Sequence, residues 1–170
     1  KGLPELFIAL KEVTKKIKQI KLILVGEGSQ LKEYKNLVVS LGLTEHVEFK
    51  GWLDAREIQN LTTQSDLGLF PSRIESFGLS VIEAMAAGLP VIAANGGAVP
   101  ENIKDGVTGT LIPVHDSNAL AKAIISALEN PKYIRNLAET AKKQVREKFS
   151  WDKTADSMID IYTSVLRDSA

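Results

Sequence analysis

The sequence predicts an α/β fold, a Rossmann-like parallel sheet with helices on both faces, and three observations predict it. Short, largely apolar runs recur at 21–25, 47–50, 66–70, 91–94 and 110–113, the pattern of strands buried on both faces. Between them lie longer stretches with apolar residues at three- and four-residue spacing, the stripe of an amphipathic helix. Glycine-containing turns close most of the runs, and strand–helix alternation of this kind implies right-handed βαβ units.

Leu3, Leu6, Phe7, Leu10, Val13, Thr14 and Ile17 mark a helix over 3–17. The strand at 21–25 ends in Gly26-Glu27-Gly28, after which Ser29 is placed to cap a helix over 30–41. A second strand at 47–50 ends in Gly51-Trp52, and Asp54 is the expected cap of a helix over 55–64. The third strand, 66–70, is stopped by Pro71; a helix over 79–87 follows and Gly88 terminates it. Next come a strand at 91–94, the turn Asn95-Gly96-Gly97, a short helix over 99–104 and turns at Asp105-Gly106 and Gly109. A last strand at 110–113 leads to a helix over 117–128. Two helices close the chain: one begins at Pro131, well suited to a first helical position, and the other follows a Ser150 cap. Trp151 is expected to staple this last helix to the body. The division implied is a Rossmann-like unit over 1–150 and a C-terminal helix over 151–170.

Composition narrows the function. With 170 residues, 44% of them hydrophobic, the chain is long enough for one domain with a full core. Its 21 basic and 21 acidic residues cancel, so no global field attracts nucleic acid or an anionic membrane. No cysteine is present, which removes thiolate chemistry and agrees with a cytoplasmic protein. No apolar run reaches the ~18 residues of a membrane helix, and no signal-peptide pattern opens the chain.

In open parallel sheets, ligands gather beyond the carboxyl ends of the strands. Gly26-Glu27-Gly28, Gly51-Trp52, Ser76-Phe77-Gly78 and Asn95-Gly96-Gly97 all fall there. Gly78 at a helix start allows close backbone approach, and the free N–H groups beside it suit a phosphate. Glu83 lies among Val81, Ile82, Ala84, Met85, Ala86 and Ala87. If buried there it needs donors, such as two ribose hydroxyls; if it occupies a solvated stripe it is an ordinary charge. Glu75, just before the helix, would sit nearer the reacting end of a ligand. Gly26-x-Gly28 lacks the third glycine of a dinucleotide fingerprint, since position 31 is Leu. Only His46 and His115 are present, both expected at the surface, and no Asp-x-Asp occurs, so no metal site is expected. Trp52 is either a platform beside a planar base or a core or rim aromatic.

Taken together, Pro71-Ser72, Glu75-Ser76-Phe77-Gly78-Leu79 and Glu83-Ala84-Met85-Ala86-Ala87-Gly88-Leu89-Pro90-Val91 resemble the signature of retaining glycosyltransferase family 4. Val25-Gly26-Glu27-Gly28, Val47-x-Phe49-x-Gly51, Gly96-Gly97 with Pro100-Glu101, and Asp105-Gly106-x-Thr108-Gly109 follow the same order, so the resemblance covers nearly the whole chain. It implies the C-terminal, donor-binding half of a GT-B fold, with the active site in a cleft against an N-terminal acceptor-binding domain. By resemblance, Glu83 holds the ribose of a nucleoside-diphosphate sugar and Glu75, the candidate catalytic-site residue, contacts the donor sugar without acting as a covalent nucleophile. Phe77, Gly78 and Leu79 bind sugar and diphosphate through their backbone. Lys1 falls where the family keeps a diphosphate-binding lysine, its arginine partner lying upstream. Gly26, Gly28 and Trp52 complete the nucleotide-sugar site. No cofactor or metal is implied, because the substrate is itself the nucleotide sugar and the leaving diphosphate is stabilised by cations and helix N–H groups.

The family's first strand in this domain precedes the Lys-Gly pair, so a chain starting at Lys1 would lack it. The expected result is an unfilled place between the 21–25 and 66–70 strands, occupied by upstream residues, a swapped strand or rearranged pairing. The last helix would cross toward the other domain, so that the fragment alone is expected to be inactive and to self-associate. Peripheral contact of the parent enzyme with the inner face of a membrane is compatible with this. Competing readings are a sugar-nucleotide epimerase or phosphorylase half on the same fold, and a flavodoxin-like regulatory domain. The last fits poorly because a receiver domain places an Asp at a strand's carboxyl end, whereas Asp66 opens its run.

Overall fold

A computed structural model describes residues 1–168. The described chain runs α1 Leu3–Lys16, β1 Leu22–Val25, α2 Leu31–Ser40, β2 Val47–Gly51, α3 Ala55–Gln64, β3 Gly68–Phe70, α4 Leu79–Ala87, β4 Val91–Ala94, α5 Val99–Asn102, β5 Thr110–Ile112, α6 Ser117–Glu129, α7 Pro131–Lys148 and α8 Trp151–Asp168. All named strand pairs are parallel, in two sheets: β1 beside β2, and β3–β4–β5 with β4 in the middle. The strand–helix order expected from the apolar periods is therefore present throughout.

The central strand shows why the fold has two cores. Every residue of β4 is buried, and successive side chains point to opposite faces. Ile92 and Ala94 face the cluster built by α1 and α6, while Val91 and Ala93 face the cluster built by α4 and α7. The first cluster also takes Leu22 from β1 and Val47 from β2. The apolar face of α1 (Leu6, Phe7, Leu10 and Val13) thus joins the two sheets, with the Phe7 ring meeting Tyr34 and Phe49 edge-on at 6.1 and 6.5 Å. Removing such a ring from a core costs about 3–5 kcal/mol.

Local signals act where expected at several helix ends. Asp54 caps α3 in a reciprocal box, its carboxylate accepting from Glu57 N–H and the Glu57 carboxylate accepting from Asp54 N–H, both at 2.8 Å. Gly78 and Gly88 bracket α4 in left-handed conformation. Pro131 begins α7, and the Ser150 hydroxyl accepts from Lys153 N–H at 3.3 Å.

Other expectations need correction. Ser29 does not cap α2: Gln30 occupies that position and makes no side-chain cap bond. The short helix after Gly97 stops at Asn102 rather than continuing to Lys104. Trp151 staples nothing, because it is 87% exposed; a staple needs an apolar partner on the body, and every described side chain of α8 from 151 to 167 is exposed. His46 is not a plain surface residue, since its part-buried Nδ1 lies 3.0 Å from the Ile20 carbonyl, an acceptor that requires the ring nitrogen to carry the proton. β1 and β3 do not pair with each other. Pairing is not rearranged to bring them together, which removes that alternative.

Candidate active site at the strand ends

The loop from Pro71 to Gly78 leaves β3 and enters α4. It is seated on the turn after β4. A Cβ on Gly96 would collide with the Arg73 carbonyl, and one on Gly97 with the Glu75 backbone. Ala98 N–H donates to the Glu75 carbonyl at 2.9 Å. Gly96 and Gly97, expected at a ligand-gathering edge, are therefore in contact with the loop that carries the candidate residues.

Seated in this way, Glu75 keeps its side chain 18% exposed and its Oε1 accepts from Lys1 Nζ at 2.8 Å. The Lys1 ammonium holds the Glu75 carboxyl below its ordinary value, against partial desolvation, and the Ser72 hydroxyl adds to the effect. Two residues 74 positions apart in sequence, one expected at diphosphate and one at sugar, thus meet as an ion pair. Ser72 is itself buried.

The turn continues through Phe77 into Gly78, whose φ of 83° is a left-handed conformation that non-glycine residues rarely adopt. Among the described residues, the N–H groups of Gly78 and Leu79 donate to none, leaving donors at a helix start free for an anion. Leu79 is 64% exposed. Glu83, four residues on and therefore on the same face, is exposed as well. The buried setting considered for Glu83 is thus not found: Val81, Ile82, Ala84 and Met85 take the core faces of α4, and Glu83 stands on the face that looks outward.

The neighbouring edge belongs to β1 and β2. Gly26, with φ of 118°, donates its N–H to the Gly51 carbonyl at 2.7 Å, and the Gly28 carbonyl accepts from Leu31 N–H at 3.1 Å. A Cβ at either glycine would meet nothing within 4 Å. Trp52 is 72% exposed, which decides against the core-aromatic reading. The two edges meet at an open cavity of about 260 Å³, lined from the β1–α2 turn by Gln30, from the β3–α4 loop by Arg73, and from the start of α1 by Lys1 and Gly2. Lys1 is the lining residue that also belongs to the Glu75 pair. Glu83 does not line this cavity.

A second carboxylate, Glu5 of α1, had no signal in the sequence. Its Oε1 accepts from Arg73 Nη2 at 2.8 Å and lies 3.0 Å from His115 Nδ1. Burial pushes this carboxyl up, but a backbone hydrogen bond, His115 and Arg73 together outweigh burial and bring it below its ordinary value. Glu5 thereby ties α1 to the loop that carries Glu75.

The arrangement offers free helix-start N–H groups, a lysine and carboxylates at the β3–β4 edge, and an exposed indole at the neighbouring β1–β2 edge. A family model for glycosyl transferases group 1 matches residues 1–144. The chain belongs to the glycosyl transferases group 1 family. Its fold is the C-terminal, Rossmann-like domain of GT-B glycosyltransferases. It is 39% identical over 148 residues to the N-acetyl-alpha-D-glucosaminyl L-malate synthase of Bacillus anthracis, covering 87% of this chain and 38% of that protein. Among solved structures, sucrose-phosphate synthase from Thermosynechococcus elongatus superposes with a TM-score of 0.87 and 32% identity, over 99% of this chain and 43% of the other. Anabaena HepE, solved with UDP-glucose, superposes with a TM-score of 0.83 and 29% identity, over 92% of this chain and 44% of the other. The chain spans less than half the length of each of these proteins. Among the described residues, no helix is long and apolar enough to cross a membrane.

Proposed function

We propose that this chain is the donor-binding half of a retaining, metal-independent glycosyltransferase that takes a sugar from a nucleoside diphosphate and delivers it to an acceptor hydroxyl. The observation that carries the reading is the Lys1–Glu75 ion pair standing beside the unpartnered N–H groups of Gly78 and Leu79. A leaving diphosphate develops charge that an ammonium and helix-start N–H groups stabilise. On binding, Lys1 and those N–H groups face the diphosphate, and Glu75 positions the donor sugar. Glu83, on the outward face of α4, accepts from the ribose hydroxyls. Gly26 and Gly28 admit the nucleotide close to backbone, and Trp52 lies beside the base.

The acceptor is held by a further domain of the intact protein, toward which α8 extends, and the chain by itself is inactive. A cytoplasmic location, in contact with the inner face of a membrane where the acceptor is a lipid, belongs to the same reading. Calorimetric titration with UDP, GDP and ADP and their sugars, on wild type and Glu83→Ala, tests the site. Loss of two ribose hydrogen bonds to a carboxylate is expected to weaken binding about tenfold or more, and equal affinity for the two proteins would remove Glu83 from the site. Chelator treatment of the intact enzyme is expected to leave its transfer rate unchanged; a loss restored by a divalent cation would overturn metal independence.

A further inference from the structure

Asn102 is a polar residue, 3% exposed, at the end of the four-residue helix α5. Its Nδ2 donates to the Phe77 carbonyl. A Cβ on Gly78 would sit 3.7 Å from the same nitrogen, so the amide lies close against the turn that opens α4. In a trans peptide the C=O and N–H of one unit point in opposite directions. Holding the Phe77 carbonyl toward Asn102 therefore turns the Gly78 N–H away from it, and that N–H donates to no described residue.

The residue that does this is itself held from α7, through its backbone carbonyl. Gln144 Nε2 donates to the Asn102 backbone carbonyl at 2.9 Å, and Lys148 Nζ to the Glu101 backbone carbonyl at 3.0 Å, capping the C-terminal end of α5. At the end of α7, the Phe149 ring meets the Phe77 ring edge-on at 5.8 Å. The turn is thus braced from behind at its backbone and at its side chain. Lys148 and Phe149 lie beyond the 144 residues that the family model matches.

We propose that Asn102 is a positioning residue for the donor site: by holding the Phe77 carbonyl it aims the Gly78 N–H at the diphosphate, while Gln144 of α7 holds Asn102 and Phe149, just after α7, braces Phe77. This rests on the donor-binding reading above. A role confined to satisfying a buried carbonyl would affect folding stability and treat all ligands alike. Positioning of the N–H instead affects ligands that carry phosphate.

The test compares UDP with uridine on the intact protein, with GDP and ADP and their nucleosides run alongside. Asn102→Asp preserves shape but presents a carboxylate that cannot donate, and Asn102→Leu presents no polar group. Both are expected to weaken diphosphate binding about tenfold while nucleoside binding stays within about twofold of wild type. As pH falls, the buried aspartate takes up a proton and regains a donor. Diphosphate affinity of Asn102→Asp should then recover toward wild type, whereas that of Asn102→Leu should not. Gln144→Met, which removes only the donor behind Asn102, is expected to move the same ratio in the same direction and carries the test if an Asn102 variant does not fold. Equal losses for diphosphate and nucleoside, or no loss for either, overturns the proposal. Diphosphate binding that Glu83→Ala weakens and Asn102 variants leave alone overturns it while sparing the donor-binding reading; a wild type that binds no nucleoside diphosphate overturns both.

Discussion

The two strand edges of this domain use glycine for opposite purposes. At the β3–β4 edge, Gly96 and Gly97 are packed against the carbonyls of Arg73 and Glu75, and a Cβ at either would collide with the loop above them. At the β1 edge, Gly26 and Gly28 face open space, with nothing within 4 Å of an added Cβ. The first edge is organised by the protein: glycines seat the loop, Ala98 N–H holds the Glu75 carbonyl, Asn102 holds the Phe77 carbonyl, and Lys1 pairs with Glu75. The second presents bare backbone and an exposed indole. A site that must align charge on a reacting diphosphate benefits from donors fixed before the ligand arrives. A site that only admits a flat base needs access more than rigidity.

Substituting one glycine on each edge separates these roles and carries the largest expected effect. Gly97→Ala sets a methyl group against the Glu75 backbone at a residue whose φ is 58°. Strain in the left-handed region and overpacking together are expected to cost about 2–4 kcal/mol and to abolish donor binding by moving Glu75. Gly28→Ala meets no atom, has no positive φ, and should change stability by less than about 0.5 kcal/mol. Urea denaturation of both variants checks the contrast. Similar midpoints would mean that the β3–β4 edge relaxes freely and is not preorganised.

The same contrast explains how much was legible in the sequence. Helices and strands were, because periodicity is local: β4 alternates between two cores, and Asp54, Gly78, Gly88 and Pro131 act within a turn of where they stand. Gly26, Gly28 and Trp52 likewise lie just beyond the ends of β1 and β2, where their turn chemistry predicts. Glu83 was harder, since seven residues of mostly apolar character suggested burial, whereas a nine-residue helix still leaves one face outward. The braces were invisible. Glu5 meets Arg73 across 68 positions, and Asn102 meets Phe77 across 25, and no spacing rule links residues brought together only by the packing of the sheet and its helices. The Lys1–Glu75 pair was likewise beyond spacing; only resemblance put both residues near one ligand.

A smaller effect sharpens the comparison through two ion pairs. Lys50 lowers the Glu48 carboxyl on β2 much as Lys1 lowers that of Glu75, both from an ordinary value of 4.5. A carboxylate depressed in the folded state contributes stability above its unfolded value, and that contribution is lost as pH falls through the folded one. Both pairs should therefore steepen the loss of stability on acidification, between about pH 5 and pH 3, and at neutral pH their contribution is fully present and does not vary with pH. Their environments differ: the Glu75 side chain is 18% exposed, whereas Glu48 and Lys50 are 44% and 41% exposed. Water and salt screen the β2 pair almost fully. Glu75→Gln is accordingly expected to flatten the acid limb by less than about 1 kcal/mol, with Lys1 exposure setting that ceiling, and Glu48→Gln to leave it unchanged at high salt. Urea midpoints measured across that range, at low and high salt, decide it. If Glu48→Gln flattened the limb as much as Glu75→Gln, the seated edge would hold its charges no more firmly than an open strand does.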